Sequence, residues 1–234
     1  MIEHTDNLKE RFLKLMNGTG RKNISSYLKW LEDSTDFYQA PASTKYHLST
    51  PSGLLLHSLN VYDALMDMLE KVPADESGEK TEECFKYSVN GITVGQWKHS
   101  TLVICALNHD ICKVNYYGQE RKNRKIYSQN GSKKDSEGRY DWESYMAYIV
   151  NDTMPYGHGE KSVMLLQSFI PLTLEERFAI RWHMGVFGTQ GNDINTFREA
   201  CMKYPLVYLM HQADQIASLY MEEEENNKEN FIIH

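Results

Sequence analysis

Four ionisable side chains occur where the sequence is otherwise apolar, and they are of the types that bind divalent metal ions. His57 lies on the apolar face of one predicted helix, His109 and Asp110 end the most apolar helical run of the chain, and Asp214 lies on the apolar face of the last long helix. Burying a carboxylate without a partner costs several kcal/mol, so both aspartates require compensation. A shared divalent cation would supply it, with imidazole nitrogens and carboxylate oxygens as its ligands.

Each of these residues also has an ordinary structural explanation. A lone histidine on an apolar face, such as His57, is more often a core residue with satisfied hydrogen bonds than a ligand. Asp214 alone could pair with Arg181 or Lys113. A histidine in one helix, a His-Asp pair ending a second and an aspartate inside a last helix together favour a metal site over these separate explanations.

The elements that must position these residues are predicted to be helices. Apolar spacing, capping residues and proline positions predict helices over residues 5–17, 24–33, 50–71, 99–113, 142–150, 158–170, 173–183 and 206–221. The helix over 50–71 takes Thr50 as its N-cap and Pro51 as its first residue, and Thr173 with Glu176 forms a capping box. We therefore expect an all-α fold in one domain covering residues 1–234.

Three other segments carry weaker patterns. Residues 73–81 are predicted to be a polar loop, and residues 85–97 form either a small β-hairpin around Asn90-Gly91 or irregular structure. The acidic run 222–230 is most simply a solvated helix end with no function.

A basic segment interrupts the helices between residues 114 and 141, where Asn130-Gly131 predicts a hairpin turn. The segment is rich in Gly, Lys, Arg, Ser, Asn and Tyr, a composition typical of an exposed flap. Arg124 and Lys125 lie there. Their basic neighbours are Arg121, Lys122, Lys133, Lys134 and Arg139. This local reversal of charge could attract an anionic substrate, or the segment could be only a solvated hairpin.

Composition excludes several classes of protein. A net charge of -7 argues against a protein that coats long duplex nucleic acid, which requires clustered basic residues. The four cysteines show no CxxC pairing, so neither a zinc knuckle nor a disulfide framework is expected. No run approaches the roughly 20 apolar residues of a membrane span. We expect a cytoplasmic protein that does not interact with membranes.

Three segments of the sequence resemble the HD superfamily of metal-dependent phosphohydrolases. STPSGLLLHSLNV resembles the family's Gly-Leu-x-x-His helix, LNHDICK its His-Asp-x-x-Lys turn and LMHQADQIAS its terminal Asp helix. The resemblance spans about residues 45–221 and leaves the predicted N-terminal helices, within residues 1–40, outside. It implies an HD-domain helical bundle with a small β-hairpin insertion, and hydrolysis of a phosphate ester of a nucleotide or short oligonucleotide. The alternative is a metal-containing nucleotide-binding or regulatory module without turnover.

Two further segments resemble the branch of this superfamily with a two-metal centre: YGHGEKS, which contains His158, and IRWHMG, which contains His183. The resemblance implies that one ion would be held by His57, His109, Asp110 and Asp214, and a second by Asp110, His158 and His183. One or two ions of Mn, Fe, Co, Ni, Zn or Mg are therefore expected. HMGVFG stands where the HD-GYP subgroup has HHE and GYP, so cyclic di-GMP is not the expected substrate. The sequence is more similar to bacterial HD proteins with 3′ exonuclease or nucleotide-hydrolysing activity.

The same resemblance assigns roles to residues around the ligands. Asp110 and Lys113 would be catalytic, with Lys113 steadying a phosphoryl oxygen or holding Asp110 in position. His211, one turn before Asp214, could line the site or hydrogen-bond a ligand. His47 could face the substrate or have a structural role in its loop.

Overall fold

The computed structural model describes residues 2–73, 82–187 and 193–222. The polar loop expected at 73–81 and the acidic run at 222–230 lie outside these residues, apart from their first members. The described chain contains eight α-helices and two three-stranded antiparallel sheets, with about a fifth of the chain in strands. The expected all-α bundle is therefore wrong, and the fold is a mixture of helices and sheets.

Seven of the eight described helices contribute to one main core, and a second, smaller cluster includes the remaining helix. The order of the helices along the chain follows most of the predicted positions. They are α1 (Ile2–Gly18), α2 (Ile24–Ser34), α3 (Gly53–Asp67), α4 (His99–Asn108), α5 (His158–Gln167), α6 (Leu174–Arg181), α7 (Asp193–Lys203) and α8 (Pro205–Ile216). Helices α3 and α4 pack against each other at the centre, and α8 packs against α3 and α6. Leu54, Leu59, Leu102 and Leu107 are completely buried, as expected for helices with neighbours on several sides. No described helix has both the length and the apolar character that crossing a membrane requires.

Helix α3 begins two residues later than predicted, at Gly53 instead of Pro51, and it ends at Asp67, before the predicted end at residue 71. Ser52 precedes it in a left-handed conformation with φ of 63°, so Thr50 is not the N-cap. Gly53 lies so close to the preceding loop that a Cβ atom there would be 2.1 Å from the carbonyl oxygen of Leu48. This close approach fixes the start of the helix that carries His57.

Helix α4 stops at Asn108, although the apolar pattern predicted a helix to residue 113. The side-chain Nδ2 of Asn108 donates to the carbonyl oxygen of Ile104 at 2.9 Å, and its side-chain Oδ1 accepts from the Tyr27 hydroxyl at 2.6 Å. Asp110 then leaves helical geometry, and Ile111–Lys113 forms a separate 3₁₀ turn. The break turns two adjacent residues, His109 and Asp110, toward one place.

The first sheet comprises β1 (Glu70–Lys71), β2 (Cys84–Val89) and β3 (Ile92–Lys98). Asn90 and Gly91 both have positive φ, as a two-residue hairpin turn requires, so the hairpin is the alternative that forms here. Trp97 is buried at the end of β3, and its indole N–H donates to Glu175 at 2.9 Å. The sheet is thus attached to α6.

The second sheet comprises β4 (Tyr117–Tyr127), β5 (Lys133–Lys134) and β6 (Arg139–Val150), in the order β4-β6-β5. Strands β4 and β6 pair as a hairpin, but Asn130-Gly131 is not its turn: residues 128–138, which include β5, connect the two strands, and β5 pairs with β6 instead of β4. Strand β6 extends to Val150, so the predicted helix over 142–150 is also wrong. Residues 142–150 include two β-branched and three aromatic residues, and they pair in register with residues 117–125. These cross-strand pairs make the strand more stable than the helix that the apolar spacing of residues 142–150 predicts.

The capping box at α6 is present. The Thr173 hydroxyl accepts from the backbone of Glu176 at 3.2 Å, and the Glu176 carboxylate accepts from the backbone of Thr173 at 2.8 Å. That fully buried carboxylate also forms an ion pair with Arg21 and accepts from Thr101 at 3.0 Å. These contacts hold α6 against α4 and so position the residues that follow α6.

Candidate metal centre

Five side chains from different parts of the core converge and are buried. His57 lies in the middle of α3, His109 and Asp110 follow α4, His183 follows α6, and Asp214 lies in α8. None of the five is more than 5% exposed. We call these residues the His-Asp cluster.

Backbone contacts set the protonation of two histidines. His109 Nδ1 donates to the carbonyl oxygen of Ala106 at 2.8 Å, and His183 Nδ1 donates to that of Ile180 at 2.7 Å. A neutral imidazole with its proton on Nδ1 carries a lone pair on Nε2. In the neutral form of each histidine, Nε2 therefore presents a lone pair to the cluster.

His57 is oriented by a carboxylate. Its Nδ1 lies 2.9 and 3.1 Å from the two carboxylate oxygens of Glu222, which also accepts from Asn60 at 3.0 Å. The Nε2 atom of a neutral His57 is then a third lone pair facing the cluster. Carboxylates that fix metal-binding histidines in this manner are common outside the ligand sphere.

The interpretation of Glu222 as part of a functionless solvated run is wrong, because its side chain is completely buried. A signal was available in the sequence: Asp214, Ser218 and Glu222 follow one another at intervals of four, which keeps them on one helix face. A π-helical segment, Ala217–Met221, follows α8 and carries the chain to Glu222.

The carboxylate of Asp110 lies between two groups of histidines. Its Oδ2 atom is 3.5 Å from Nε2 of His57 and 3.5 Å from Nε2 of His109. Its Oδ1 atom is 3.3 Å from Nε2 of His183 and 2.9 Å from Nε2 of His158. Each oxygen thus faces a different pair of imidazoles.

Asp214 completes the first of these groups. Its Oδ1 atom lies 3.2 Å from Nε2 of His57 and 3.9 Å from Nε2 of His109, and those two nitrogens are 3.2 Å apart. One ligand atom each from His57, His109 and Asp214 lies within 4.8 Å of the others, and the same holds for His109, Asp110 and His183. Buried groups of this kind can hold a metal ion.

In these contacts, lone pairs of imidazole Nε2 atoms face one another and face carboxylate oxygens. The arrangement is repulsive unless a positive charge lies among these atoms. Nε2 of His183 is buried and finds no well-oriented hydrogen-bond partner among the described residues, although Oδ1 of Asp110 lies 3.3 Å away. A proton on His57 could supply part of this charge. Burial opposes the charged form of His57, but hydrogen bonds to the carboxylates of Asp110, Asp214 and Glu222 outweigh burial and raise its pKa well above the usual value. A divalent cation would neutralise the cluster without added protons, and the mixture of imidazole nitrogens and carboxylate oxygens fits such an ion.

Lys113 is not a surface lysine. Its side chain is 11% exposed, and its Nζ lies 2.6 Å from Oδ2 of Asp110. Burial opposes the charged form, but Asp110 outweighs it and raises the pKa of Lys113, so the amine stays protonated. The ion pair holds Asp110 in place beside a cavity of about 330 Å³ that Lys113 helps to line.

His158 lies at the rim of the cluster, with its side chain about one third exposed. Cys112 Sγ is 3.3 Å from its Nδ1. Burial opposes the charged form of His158, but Cys112 and Asp110 raise its pKa to about 9. Ligand atoms of Asp110, Cys112 and His158 also form a potential metal-binding group. Sequence reasoning missed Cys112, although it lies only two residues after Asp110.

The other two histidines predicted near the site are His47, which lies at the cavity, and His211, which lies behind the cluster. The ring of His47 lies 5.0 Å from that of His57 and lines the cavity. Its Nε2 is buried and has no hydrogen-bond partner in the part of the chain that the structure describes. His211 instead donates from Nδ1 to the backbone oxygen of His183 at 2.7 Å and packs against Gly185. His211 therefore supports the backbone of a cluster residue.

Arg124 and Lys125 lie on the hairpin and line neither this cavity nor the groove next to it. Arg124 forms an ion pair with Glu143 at 2.6 Å, and Lys125 pairs with Asp135. Arg181, which the sequence offers as a partner for Asp214, pairs with Glu160 at 2.5 Å instead. Asp214 has histidine partners instead.

We expect Glu222→Ala to weaken metal binding by about 10- to 100-fold, because the variant loses the contact that orients His57. Isothermal titration with Mn²⁺ or Zn²⁺ measures the affinity. Glu10→Ala, which removes an exposed carboxylate from α1, is the matched control and should bind as the wild type does. Equal affinities for all three proteins would show that Glu222 does not support the site.

Comparisons of this chain with protein-family models, curated proteins and solved structures find no match.

Proposed function

We propose that this protein is a metal-dependent phosphohydrolase that cleaves a phosphate ester of a nucleotide or short oligonucleotide. The observation that carries the proposal is the convergence of three buried imidazole Nε2 atoms and two aspartates beside a cavity. The resemblance of the same residues to the HD superfamily supports it.

A bound divalent cation would lower the pKa of a water ligand and polarise a phosphoryl oxygen, which are the two requirements of phosphate ester hydrolysis at neutral pH. The chain provides candidate ligands for two ions. His57, His109, Asp110 and Asp214 would hold one, and Asp110, His158 and His183 the other. The two oxygens of Asp110, which face different imidazole pairs, favour this shared arrangement.

Lys113 adds a fixed positive charge at the cavity. Its ion pair with Asp110 leaves the ammonium group available to contact an anionic oxygen of a substrate, since an ammonium has three N–H donors. It would therefore both orient Asp110 and steady a phosphoryl group. His47, with its unpartnered Nε2 over the same cavity, is a second group that would meet the substrate.

The proposal is tested with purified protein, by metal analysis and by a panel of nucleotides, cyclic nucleotides, dinucleotides and bis(p-nitrophenyl) phosphate. We expect bound transition metal and Mn²⁺-dependent hydrolysis of at least one class of ester, abolished by a chelator and restored by added metal. Metal and nucleotide binding without hydrolysis across the panel would instead indicate the regulatory module. Protein with neither metal nor activity after incubation with each candidate ion would contradict both.

A further inference from the structure

A groove continues from the His-Asp cluster across the face of the protein. It has a volume of about 1050 Å³ and lies between the loop of residues 44–49 and strand β6. Tyr46, His47 and Ser218 line both this groove and the cavity beside the cluster, so the two are continuous. A site for one small molecule typically has roughly 300–1,000 Å³. The joined space therefore suits a substrate longer than one nucleotide.

One wall of the groove is an unpaired strand edge. The backbone N–H of Asn151 donates to the carbonyl oxygen of Tyr116, and the backbone N–H of Ser128 donates to that of Arg139. Because hydrogen-bonded pairs alternate along an antiparallel ladder, the odd-numbered residues of β6 form the hydrogen bonds with β4. The even-numbered residues then direct their N–H and C=O groups to the opposite side. Within the described chain only β5 pairs there, at its two residues, so the N–H groups at positions 146, 148 and 150 face the groove.

The side chains of the groove combine aromatic rings with positive charge. The Tyr46 side chain is 79% exposed and that of Tyr145 is 38% exposed. Lys122 is the cross-strand partner of Tyr145 and so lies on the same face, and Lys45 lies on the opposite wall. Among the described residues that line the groove, Glu222 is the only acidic one, and its carboxylate is engaged by His57. The groove is therefore locally cationic in a chain of net negative charge.

We propose that this groove binds single-stranded nucleic acid and feeds its scissile phosphate to the His-Asp cluster, an inference that rests on the proposed function. Tyr46 and Tyr145 stack on bases, while Lys45, Lys122 and the amides of β6 contact phosphates. Aromatic platforms beside cationic tracks are the usual means of holding single strands without reading their sequence. Such rings and lysines favour a nucleic acid strand over a peptide added to the edge of β6.

Fluorescence anisotropy of the metal-loaded protein with a labelled phosphorothioate oligothymidylate of about ten nucleotides tests the assignment. The phosphorothioate linkages resist hydrolysis during the measurement. We expect binding that weakens with salt. Tyr46→Ala and Tyr145→Ala should each weaken it by about five- to a hundredfold. Lys122→Ala should weaken it and reduce the salt dependence.

Exposed residues outside the groove serve as matched controls: Tyr208→Ala for the tyrosines and Lys14→Ala for the lysine. Affinities unchanged in the groove variants, tight binding of a duplex of the same length, or equal competition by an oligoglutamate peptide would each overturn the assignment. Wild-type hydrolysis of bis(p-nitrophenyl) phosphate separates the two proposals. If the small ester is hydrolysed and the oligonucleotide is not bound, only the groove assignment fails; if the reverse holds, only the catalytic proposal fails.

Discussion

Asp110→Asn is expected to reduce phosphodiester hydrolysis by at least about a thousandfold, the largest effect of any single substitution in this protein. An amide cannot present two anionic oxygens, so one of the two imidazole pairs that Asp110 faces would meet an N–H₂ group instead of an oxygen. The change also removes the ion pair that holds Lys113. Both the metal content and the turnover rate should fall.

The matched control is Asp33→Asn, which neutralises a half-exposed carboxylate on α2 that pairs only with Lys29 on the same helix. Initial rates with bis(p-nitrophenyl) phosphate and metal analysis of all three proteins give the comparison, and circular dichroism confirms that each is folded. If Asp110→Asn and the wild type hydrolyse the ester equally, the catalytic assignment has to be abandoned.

Metal binding should also stabilise the fold strongly. An ion at a hundred times its dissociation constant adds about 2.7 kcal/mol to the free energy of unfolding. For a chain of this length, that corresponds to a rise in Tm of roughly 5–10 °C. The cluster joins α3, α6 and α8 with the turn after α4, so the ion would connect elements that are distant in sequence.

Thermal denaturation with and without a chelator measures this shift, and Mn²⁺ or Zn²⁺ should restore it. Ca²⁺ should have a much smaller effect, because it prefers an all-oxygen site with more ligands. Asp214→Asn should abolish most of the metal-dependent rise, whereas Asp33→Asn should leave it intact. A Tm that is the same with every ion and with the chelator would mean that the cluster is stabilised by protons alone.

The positions of four of the five cluster residues were accessible from the sequence, because each of the four lies where an apolar helical pattern is broken by an ionisable residue, whereas His183 was indicated only by the resemblance to the two-metal branch. His57 and Asp214 follow from the faces of α3 and α8, and the pair after α4 follows from the sudden polarity there. Burial of a charged group is costly, so such interruptions carry information that composition does not.

The backbone partners of the cluster histidines were not accessible from the sequence, and the spacing that places Glu222 on the face of Asp214 was overlooked. Nδ1 of His109 and Nδ1 of His183 bond to backbone carbonyls, and every residue has a carbonyl, so no side-chain pattern marks these acceptors. Glu222 was hidden by the acidic residues that follow it, which suggested a solvated run. Its burial depends on the π-helical segment after α8, a local change of helix geometry that apolar spacing does not reveal.

The second sheet shows where the pattern itself misleads. Residues 142–150 have apolar side chains at a helical spacing, yet they form β6, because their pairing with β4 is a contact between distant parts of the chain. The error hid the groove, whose wall is that strand. In the first sheet, by contrast, the turn at Asn90-Gly91 joins two paired strands and was recognisable from local residues alone.

A crystal structure of the protein grown with Mn²⁺, with anomalous differences measured, tests the central claim most directly. The account predicts an anomalous peak about 2.0–2.3 Å from Nε2 of His57, Nε2 of His109 and an oxygen of Asp214, and a second peak between Asp110 and His183. No peak at either position, with the aspartates hydrogen-bonded to protonated histidines, would contradict it.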